Sequence, residues 1–252
     1  MLCVEEVSVR FGGVQALQGV SFEVTAGAVT GLIGPNGAGK TTMFNVVTGL
    51  QRPDAGRVRL GERDITRLRP QARAHLGLAR TFQRLELFGT LTARENVLVA
   101  AEVAAGLTRH GRSPADLTGE LLERVGISDV AAVPCDVLPT GTARLVEMAR
   151  ALATGPRVLL LDEPSSGLSS GESAALGRLL LRLADEGIAV LLVEHDMDLV
   201  MAVCSMLHVL DFGELIATGT PTQVRDDRRV QEAYLGVTVE PAAPGDAPAR
   251  VD

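Results

Sequence analysis

Apolar residues along the chain fall into two patterns that predict two kinds of strand. Near the N-terminus, LCVEEVSVRF (2–11) and VSFEV (20–24) carry β-branched residues at alternating positions, which predicts antiparallel strands. AVTGLIG (28–34), RVLLLD (157–162) and IAVLLVEHD (188–196) are instead continuous apolar runs. Because such runs are typical of parallel strands covered on both faces, we expect a mostly parallel sheet with a separate antiparallel part.

Helical spacing predicts two helices beside these strands. The segment from Lys40 to Gly49 follows the first apolar run and ends on glycine. Gly171 to Glu186 lies between the other two runs, which predicts a strand–helix–strand unit. The stretch 206–221, MLHVLDFGELIATGTP, predicts a closing hairpin that turns at Phe212 and Gly213. The predicted fold class is therefore α/β.

The middle of the chain has a different character. Residues from about 85 to 155 are rich in Ala and Leu and predict a helical lobe, inserted between core segments at about 1–84 and 156–236. The last residues, 237–252, are rich in Pro and Ala and have little to bury, which predicts a disordered tail. We therefore expect one domain over 1–236, followed by that tail.

Composition excludes several classes of protein. The net charge of −7 disfavours a nucleic-acid surface, so no nucleic-acid partner is expected. No stretch of about 18 apolar residues is present to cross a bilayer. Cys3, Cys135 and Cys204 lack the spacing of a metal site, which favours reduced thiols in the cytosol.

The only lysine of the chain, Lys40, lies in GPNGAGKT (34–41), which matches G-x-x-x-x-G-K-[ST] between a predicted strand and a predicted helix. Glycines allow successive backbone N–H groups to converge on phosphates, and the helix N-terminus adds partial positive charge. Lys40 is expected at the β- and γ-phosphates and Thr41 on Mg²⁺. The alternative is a glycine-rich turn that matches by chance. The residues predicted to contact the nucleotide are Gly34, Pro35, Asn36, Gly37, Ala38, Gly39, Lys40, Thr41 and Thr42.

Acidic residues follow a second apolar strand, in VLLLDEP (158–164). Asp162 is expected to hold Mg²⁺ through water, and Glu163 to act as general base, an effect of about 10²–10⁴-fold. The alternative is an acidic pair that caps a helix. His195 ends another such strand and is expected to donate to the γ-phosphate, although a lone histidine is more often structural.

The nucleotide base is harder to infer from the residues. Guanine-specific enzymes use an Asn-Lys-x-Asp type of element, and the single lysine is already committed, so adenine is favoured. Phe11, directly after the first strand, is the candidate for stacking on adenine. A buried strand phenylalanine is the competing interpretation.

Taken in order, the motifs resemble the ATP-binding subunit of an ABC transporter over about residues 3–236. The resemblance implies a P-loop NTPase core with an antiparallel β subdomain and an inserted α-helical subdomain, and ATP hydrolysis with Mg²⁺. The stretches TFQRLELFGTLTARENVLVA, VEHDMDLVM and GTPTQV with VQEAYLG resemble the branch for branched-chain amino acid uptake. The lipopolysaccharide-export ATPase is a close runner-up. The motifs in order are Phe11, GPNGAGKTT, TFQ with Gln83, residues 138–152, LLLDEP, SSGLSS and VEHD with His195.

The resemblance also implies an assembly. Two such subunits close head to tail, and each nucleotide lies between the phosphate loop of one chain and the LSGGQ-type signature of the other. Gln83 would sense Mg²⁺ and the attacking water. The helical lobe would receive a membrane permease, which would make the chain a peripheral protein on the cytoplasmic face of the cell membrane.

The segment at the signature position departs from the family. LPTGT matches LSGGQ at Leu138 and Gly141 but not at Pro139, Thr140 and Thr142, and Pro139 offers neither a hydroxyl nor an N–H. Ser169 also stands where the family usually has Asp. These changes favour pairing with a different ATPase subunit, although a homodimer stays open. A soluble ABC ATPase or a non-catalytic nucleotide-binding subunit are the alternatives.

Overall fold

The computed structural model describes residues 1–82, 84–107 and 113–235. Two predictions, the sensing role of Gln83 and the disordered tail at 237–252, therefore lie outside the described residues. The strands are β1 (Leu2–Phe11), β2 (Val14–Val24), β3 (Val29–Ile33), β4 (Ala55–Leu60), β5 (Arg63–Asp64), β6 (Leu78–Arg80), β7 (Val158–Asp162), β8 (Ala189–Val193), β9 (Met206–Asp211) and β10 (Glu214–Gly219). The α-helices are α1 (Lys40–Thr48), α2 (Pro70–His75), α3 (Ala93–Leu107), α4 (Pro114–Arg124), α5 (Thr140–Ala153), α6 (Ser170–Asp185), α7 (Met197–Val203), α8 (Pro221–Arg225) and α9 (Arg228–Leu235).

The main sheet has the order β10-β9-β3-β8-β7-β6, and its pairs from β9 to β6 are parallel. Every residue of β3, β7 and β8 is buried, as their continuous apolar sequences predict. Asp162 pairs with Val193, so β7 and β8 end side by side. The α/β class is confirmed, and the predicted hairpin is β9 and β10, joined at Phe212 and Gly213.

A second, antiparallel sheet has the order β2-β1-β4-β5. The sequence predicted β1 and part of β2, but not β4 or β5. In β4 the alternation of polar and apolar residues covers only RVRL (57–60), and β5 is two residues long, so the strand signal of each is short. Pairing with the edge of β1, from Leu2 opposite Leu60 to Glu5 opposite Arg57, makes β4 a strand.

Helices α3, α4 and α5, with short 3₁₀ turns at Ser128–Val130 and Cys135–Val137, form the helical part of the chain. Helix α5 contributes Val146 and Met148 to a cluster that also contains Val97 of α3 and Leu122 of α4. The same cluster continues onto one face of the main sheet through α6 and α7.

The opposite face of the main sheet packs on α1, whose Met43 and Phe44 are fully buried, and on the antiparallel sheet beyond it. Helix α1 is therefore held between two sheets directly behind the end of β3. In the described part of the chain, no helix combines the length and apolar character required to cross a membrane.

Candidate nucleotide-binding and catalytic site

A cleft opens where β3, β7 and β8 end, at the edge of a parallel sheet where ligands usually bind. It brings the phosphate loop together with the acidic pair and the histidine, which lie far apart in the sequence. The residues that line it are Val14, Gln15, Ala16, Asn36, Gly37, Ala38, Gly39, Lys40, Thr41, Thr42, Asp162, Glu163, Val193, His195 and Phe212.

Glycines are required in the phosphate loop by close backbone contacts. A Cβ on Gly34, which has φ +150°, would lie 2.0 Å from the Leu210 carbonyl oxygen. A Cβ on Gly39, at φ +107°, would lie 2.7 Å from the Ala16 carbonyl oxygen. The loop is thus pressed against β9 and β2, and its N–H groups lead into the first turn of α1, an arrangement suited to phosphate oxygens.

Lys40 is the first residue of α1 and is buried. Its Nζ donates to the carbonyl oxygens of Gly34, at 2.6 Å, and Pro35, at 2.9 Å. Burial lowers the pKa of Lys40, and the negative charges of Glu163 and Asp162 act against that shift. The ammonium group is therefore held inside the loop, on the acidic side of the cleft.

Asp162 is the last residue of β7 and is almost completely buried. Burial raises the pKa of its carboxyl, while Arg80 lowers it through a 3.0 Å contact between a guanidinium nitrogen and Oδ2. Arg80 also donates to Asn45 Oδ1 at 2.7 Å and lies over the rings of Phe44 and Phe82. Asp162 is thus oriented through one oxygen by a buried cation.

Sequence reasoning missed Arg80. Its only signal in the sequence is an arginine within a short apolar stretch, LGLART (76–81), which a surface residue would match equally well. The partner, Asp162, is 82 positions away, so only the parallel pairing of β6 with β7 brings the two together.

Glu163 and His195 meet in the cleft. The distance between Glu163 Oε1 and His195 Nε2 is 2.8 Å, and both side chains remain partly exposed. Glu163 has φ +51°, a left-handed backbone conformation that is uncommon for a residue with a side chain. This conformation turns its carboxylate into the cleft, where it can accept a proton from a water molecule.

Phe11 lies outside the lining of the cleft. Its side chain is 51% exposed at the end of β1, which contradicts the alternative of a buried strand phenylalanine. It is not among the residues that line the cleft, whereas Phe212, 87% exposed, is. Stacking of Phe11 on adenine therefore stays a prediction.

The predicted signature lies on the helical part and does not line the cleft. Leu138 precedes Pro139, the N-cap of α5, where no side chain caps the helix. Pro139 and Thr140 are exposed, whereas Gly141 is buried, and a Cβ there would lie 2.5 Å from Leu168 Cδ2. The signature therefore packs on the loop that follows Glu163, with its outer side free to face another molecule.

Ser169 has a local role in the described structure. Its hydroxyl and N–H form a capping box with Glu172 at the start of α6. A serine is a favourable N-cap residue, so the departure from Asp at this position retains the helix start.

Comparison with known families agrees with this arrangement. The ABC transporter family matches residues 17–166, which contain the phosphate loop, Asp162 and Glu163. The chain belongs to the ABC transporter ATP-binding family. A second family, the branched-chain amino acid ATP-binding cassette transporter, matches residues 214–240, from β10 onward.

Individual relatives of this ABC subunit cover nearly the whole chain. The high-affinity branched-chain amino acid transport ATP-binding protein BraF of Pseudomonas aeruginosa is 40% identical, over 94% of this chain and 98% of its own length. The lipopolysaccharide export system ATP-binding protein LptB of Haemophilus influenzae is 35% identical, over 94% of this chain and 97% of its own. A solved nucleotide-free ATP-binding cassette from an ABC transporter superposes with a TM-score of 0.83 at 32% identity, covering 93% of this chain and 98% of that one.

Membership of this family establishes the class of activity, which is ATP hydrolysis. The chain is an ATPase subunit that binds ATP, and subunits of this kind dimerise and work with membrane permease components. The predictions of the family, the fold and the ATPase class are confirmed.

Proposed function

We propose that the cleft binds Mg-ATP and hydrolyses it. The observation that supports this most directly is the 2.8 Å contact of Glu163 with His195 in a cleft also lined by Lys40, Thr41 and Asp162. Residues Gly34 to Thr42 would surround the phosphates, and each of them except Pro35 offers a backbone N–H group. Gln83 is proposed, from the resemblance alone, to complete the Mg²⁺ site and the placement of water.

The donor set fits Mg²⁺. Asp162 and Thr41 present a carboxylate and a hydroxyl, the hard oxygen ligands that this ion takes, and Arg80 contacts only Oδ2 of the carboxylate. Mg²⁺, when bound, would neutralise charge on the phosphates.

The protein groups would divide the reaction between them. Lys40 would bind the β- and γ-phosphates as a point charge. Glu163 would accept the proton of the attacking water, and His195 would donate to the γ-phosphate from Nε2 or steady the Glu163 carboxylate through the same atom.

Substitution of Lys40 tests nucleotide binding. Lys40→Ala should weaken the affinity for a fluorescent ATP analogue by about 10²-fold, because hydrogen bonds to charged groups contribute about 1.5–3 kcal/mol each. Arg10→Ala, which removes an exposed cation of β1 outside the cleft lining, is the control. An unchanged affinity in Lys40→Ala would contradict the assignment of this loop as the nucleotide-binding site.

Substitution of Glu163 tests catalysis separately. Glu163→Gln should bind ATP and accumulate as a dimer in size-exclusion chromatography with Mg-ATP, because the amide cannot take the proton of water. Glu95→Gln, at a capping box of α3, should turn over normally. Near-normal hydrolysis by Glu163→Gln would assign the base to another residue.

We further propose that the transported solute is a branched-chain amino acid or a related small polar solute taken up by the cell. The match of residues 214–240 and the 40% identity with BraF support this. Uptake of radiolabelled leucine should fall when Lys40→Ala replaces the native chain in cells. Normal uptake together with an outer-membrane defect would instead favour lipopolysaccharide export, in line with the similarity to LptB.

The proposed assembly places residues 1–236, as one ABC ATPase domain, at the cytoplasmic face of the cell membrane. A groove between the core and the helical lobe is proposed to receive the permease, and its lining includes Leu50, Phe82, Ala100 and Arg150. Because LPTGT lacks the serine hydroxyl and the N–H at its second position, a dimer with a different ATPase subunit is favoured over a homodimer.

A further inference from the structure

Glu194 is a buried carboxylate next to the catalytic cleft, between Val193 at the end of β8 and His195. Its side chain accepts only backbone N–H groups among the hydrogen bonds of the described residues. Oε1 accepts from Ser165 at 2.7 Å, and Oε2 accepts from His195 at 2.9 Å and from Asp196 at 3.3 Å. A carboxylate removed from water needs such partners, so these three donors hold it in place.

The donors belong to two different segments. Ser165 lies two residues after Glu163, and the His195 N–H is that of the imidazole-bearing residue itself. The β7–β8 ladder ends at Asp162 and Val193, followed by one more bond from the Glu163 N–H to the Val193 carbonyl oxygen at 2.8 Å. Beyond that bond, the Glu194 carboxylate links the backbones of the two segments, alongside the side-chain contact of Glu163 with His195.

This connection bears on the backbone of Glu163. A left-handed conformation, here φ +51°, is unfavourable for a residue with a Cβ and persists only where the surroundings hold it. The Val193 carbonyl holds the N–H of Glu163 from one side. Glu194 holds the chain two residues later through the Ser165 N–H, so the turn is fixed at both ends.

We propose that Glu194 is a positioning residue that keeps Glu163 and His195 at their 2.8 Å contact. The proposal rests on the proposed catalytic roles of those two residues. Glu194 itself does not line the cleft, so it acts through the other two. Loss of its bonds should let Glu163 and His195 separate while the phosphate loop stays in place.

Glu194→Gln tests this because it retains the shape but carries one acceptor oxygen in place of two. Its amide NH₂ group must face an N–H either at Ser165 or at His195. We expect the kcat of the purified full-length chain to fall on the order of 10²-fold, the effect of about 1 Å of misplacement. Affinity for a fluorescent ATP analogue should change less than about twofold, since the Lys40 contacts are untouched.

Three further measurements make the result decisive. Glu95→Gln undergoes the same chemical change at a carboxylate of the helical part that accepts the Thr92 N–H at 2.8 Å and does not line the cleft, and it should keep the wild-type kcat. Glu194→Asp keeps the charge but is one methylene too short to reach both segments, and it should also lose kcat. It replaces Glu194→Gln if that variant does not fold. The melting temperature of each variant is recorded.

The inference is overturned if a folded Glu194 variant keeps the wild-type kcat. It is also overturned if kcat and nucleotide affinity fall together, in step with the melting temperature, as a purely structural role predicts. Glu163→Gln, assayed in parallel, distinguishes a failure of the proposed catalytic site from a failure of the positioning role of Glu194. If Glu163→Gln itself turns over normally, the proposed catalytic site fails rather than the role of Glu194.

Discussion

Replacing Pro139 with serine and Thr142 with glutamine should raise the ATPase rate of the isolated chain. Pro139 is exposed, has φ −54° and ψ 145°, and is the N-cap of α5 without a side-chain hydrogen bond to the first turn. These angles suit serine, so Pro139→Ser introduces a hydroxyl and an N–H at the tip of the helix without rearranging the backbone. Both groups are able to bind an anion held by a facing subunit.

The size of the effect follows from those groups. A well-placed hydrogen-bond donor to an anion contributes about 3 kcal/mol to transition-state stabilisation. The α5 dipole is the same in the native chain and in the double variant. In the native chain the threonine hydroxyls at 140 and 142 offset about 1 kcal/mol of the stabilisation lost with the missing serine donor. The remaining 2 kcal/mol or so corresponds to roughly 30-fold in rate.

Folding stability should not obscure this gain. A serine N-cap stabilises a helix by about 1 kcal/mol. Removing a proline frees the unfolded chain and costs about 0.4–1 kcal/mol, so the net change lies near zero. Any large change in rate therefore reports on the site.

The assay is steady-state phosphate release by the purified full-length chain at saturating Mg-ATP. Pro114→Ser, at the first position of α4 in the same helical part, is the matched control and should leave the rate unchanged. The reasoning is refuted if the native chain alone reaches the rate of an assembled transporter and the double variant is no faster. LPTGT would then be a competent signature, and the argument for an unlike partner would fail.

The remaining predictions concern the interior. Arg80→Met should lower the free energy of unfolding by about 3 kcal/mol in urea titrations, because it leaves Asp162 buried without its 3.0 Å partner. Arg57→Met, at an exposed ion pair, should have a much smaller effect, and equal losses would contradict the burial argument. Burial raises the pKa of Cys204 from 9.0 to about 12, so mass spectrometry at pH 8 should find this thiol alkylated only after unfolding. The same pKa shift should lower the free energy of unfolding as the pH rises from about 9 towards 12, because in that window the Cys204 thiol ionises in the unfolded chain but not in the folded one. A free energy of unfolding that does not change with pH in that window would refute this prediction.

The sequence by itself determined the phosphate loop and the strands around it. The pattern GPNGAGKT is recognisable within eight residues, and the apolar runs of β3, β7 and β8 are long enough to identify buried parallel strands. The order of these motifs also identified the family, because each is a local pattern that survives without knowledge of the packing.

Only the tertiary structure decided what lies between the motifs. Strand β4 forms on the edge of β1, and β5 forms in turn on the edge of β4, because the strand signal in their own residues is too short to predict either one. The contact of Arg80 with Asp162 depends on the pairing of β6 with β7, which no local pattern encodes.

Glu194 shows the same limit at shorter range. In the sequence it is an acidic residue beside a histidine, VEHD, like many surface pairs. Two of its donors, the N–H groups of His195 and Asp196, are local, but the Ser165 N–H reaches it only because the pairing of β7 with β8 places the chain after β7 beside it. Chemistry that is local in the chain can be predicted from the sequence, whereas a contact between distant segments depends on the register of the whole sheet.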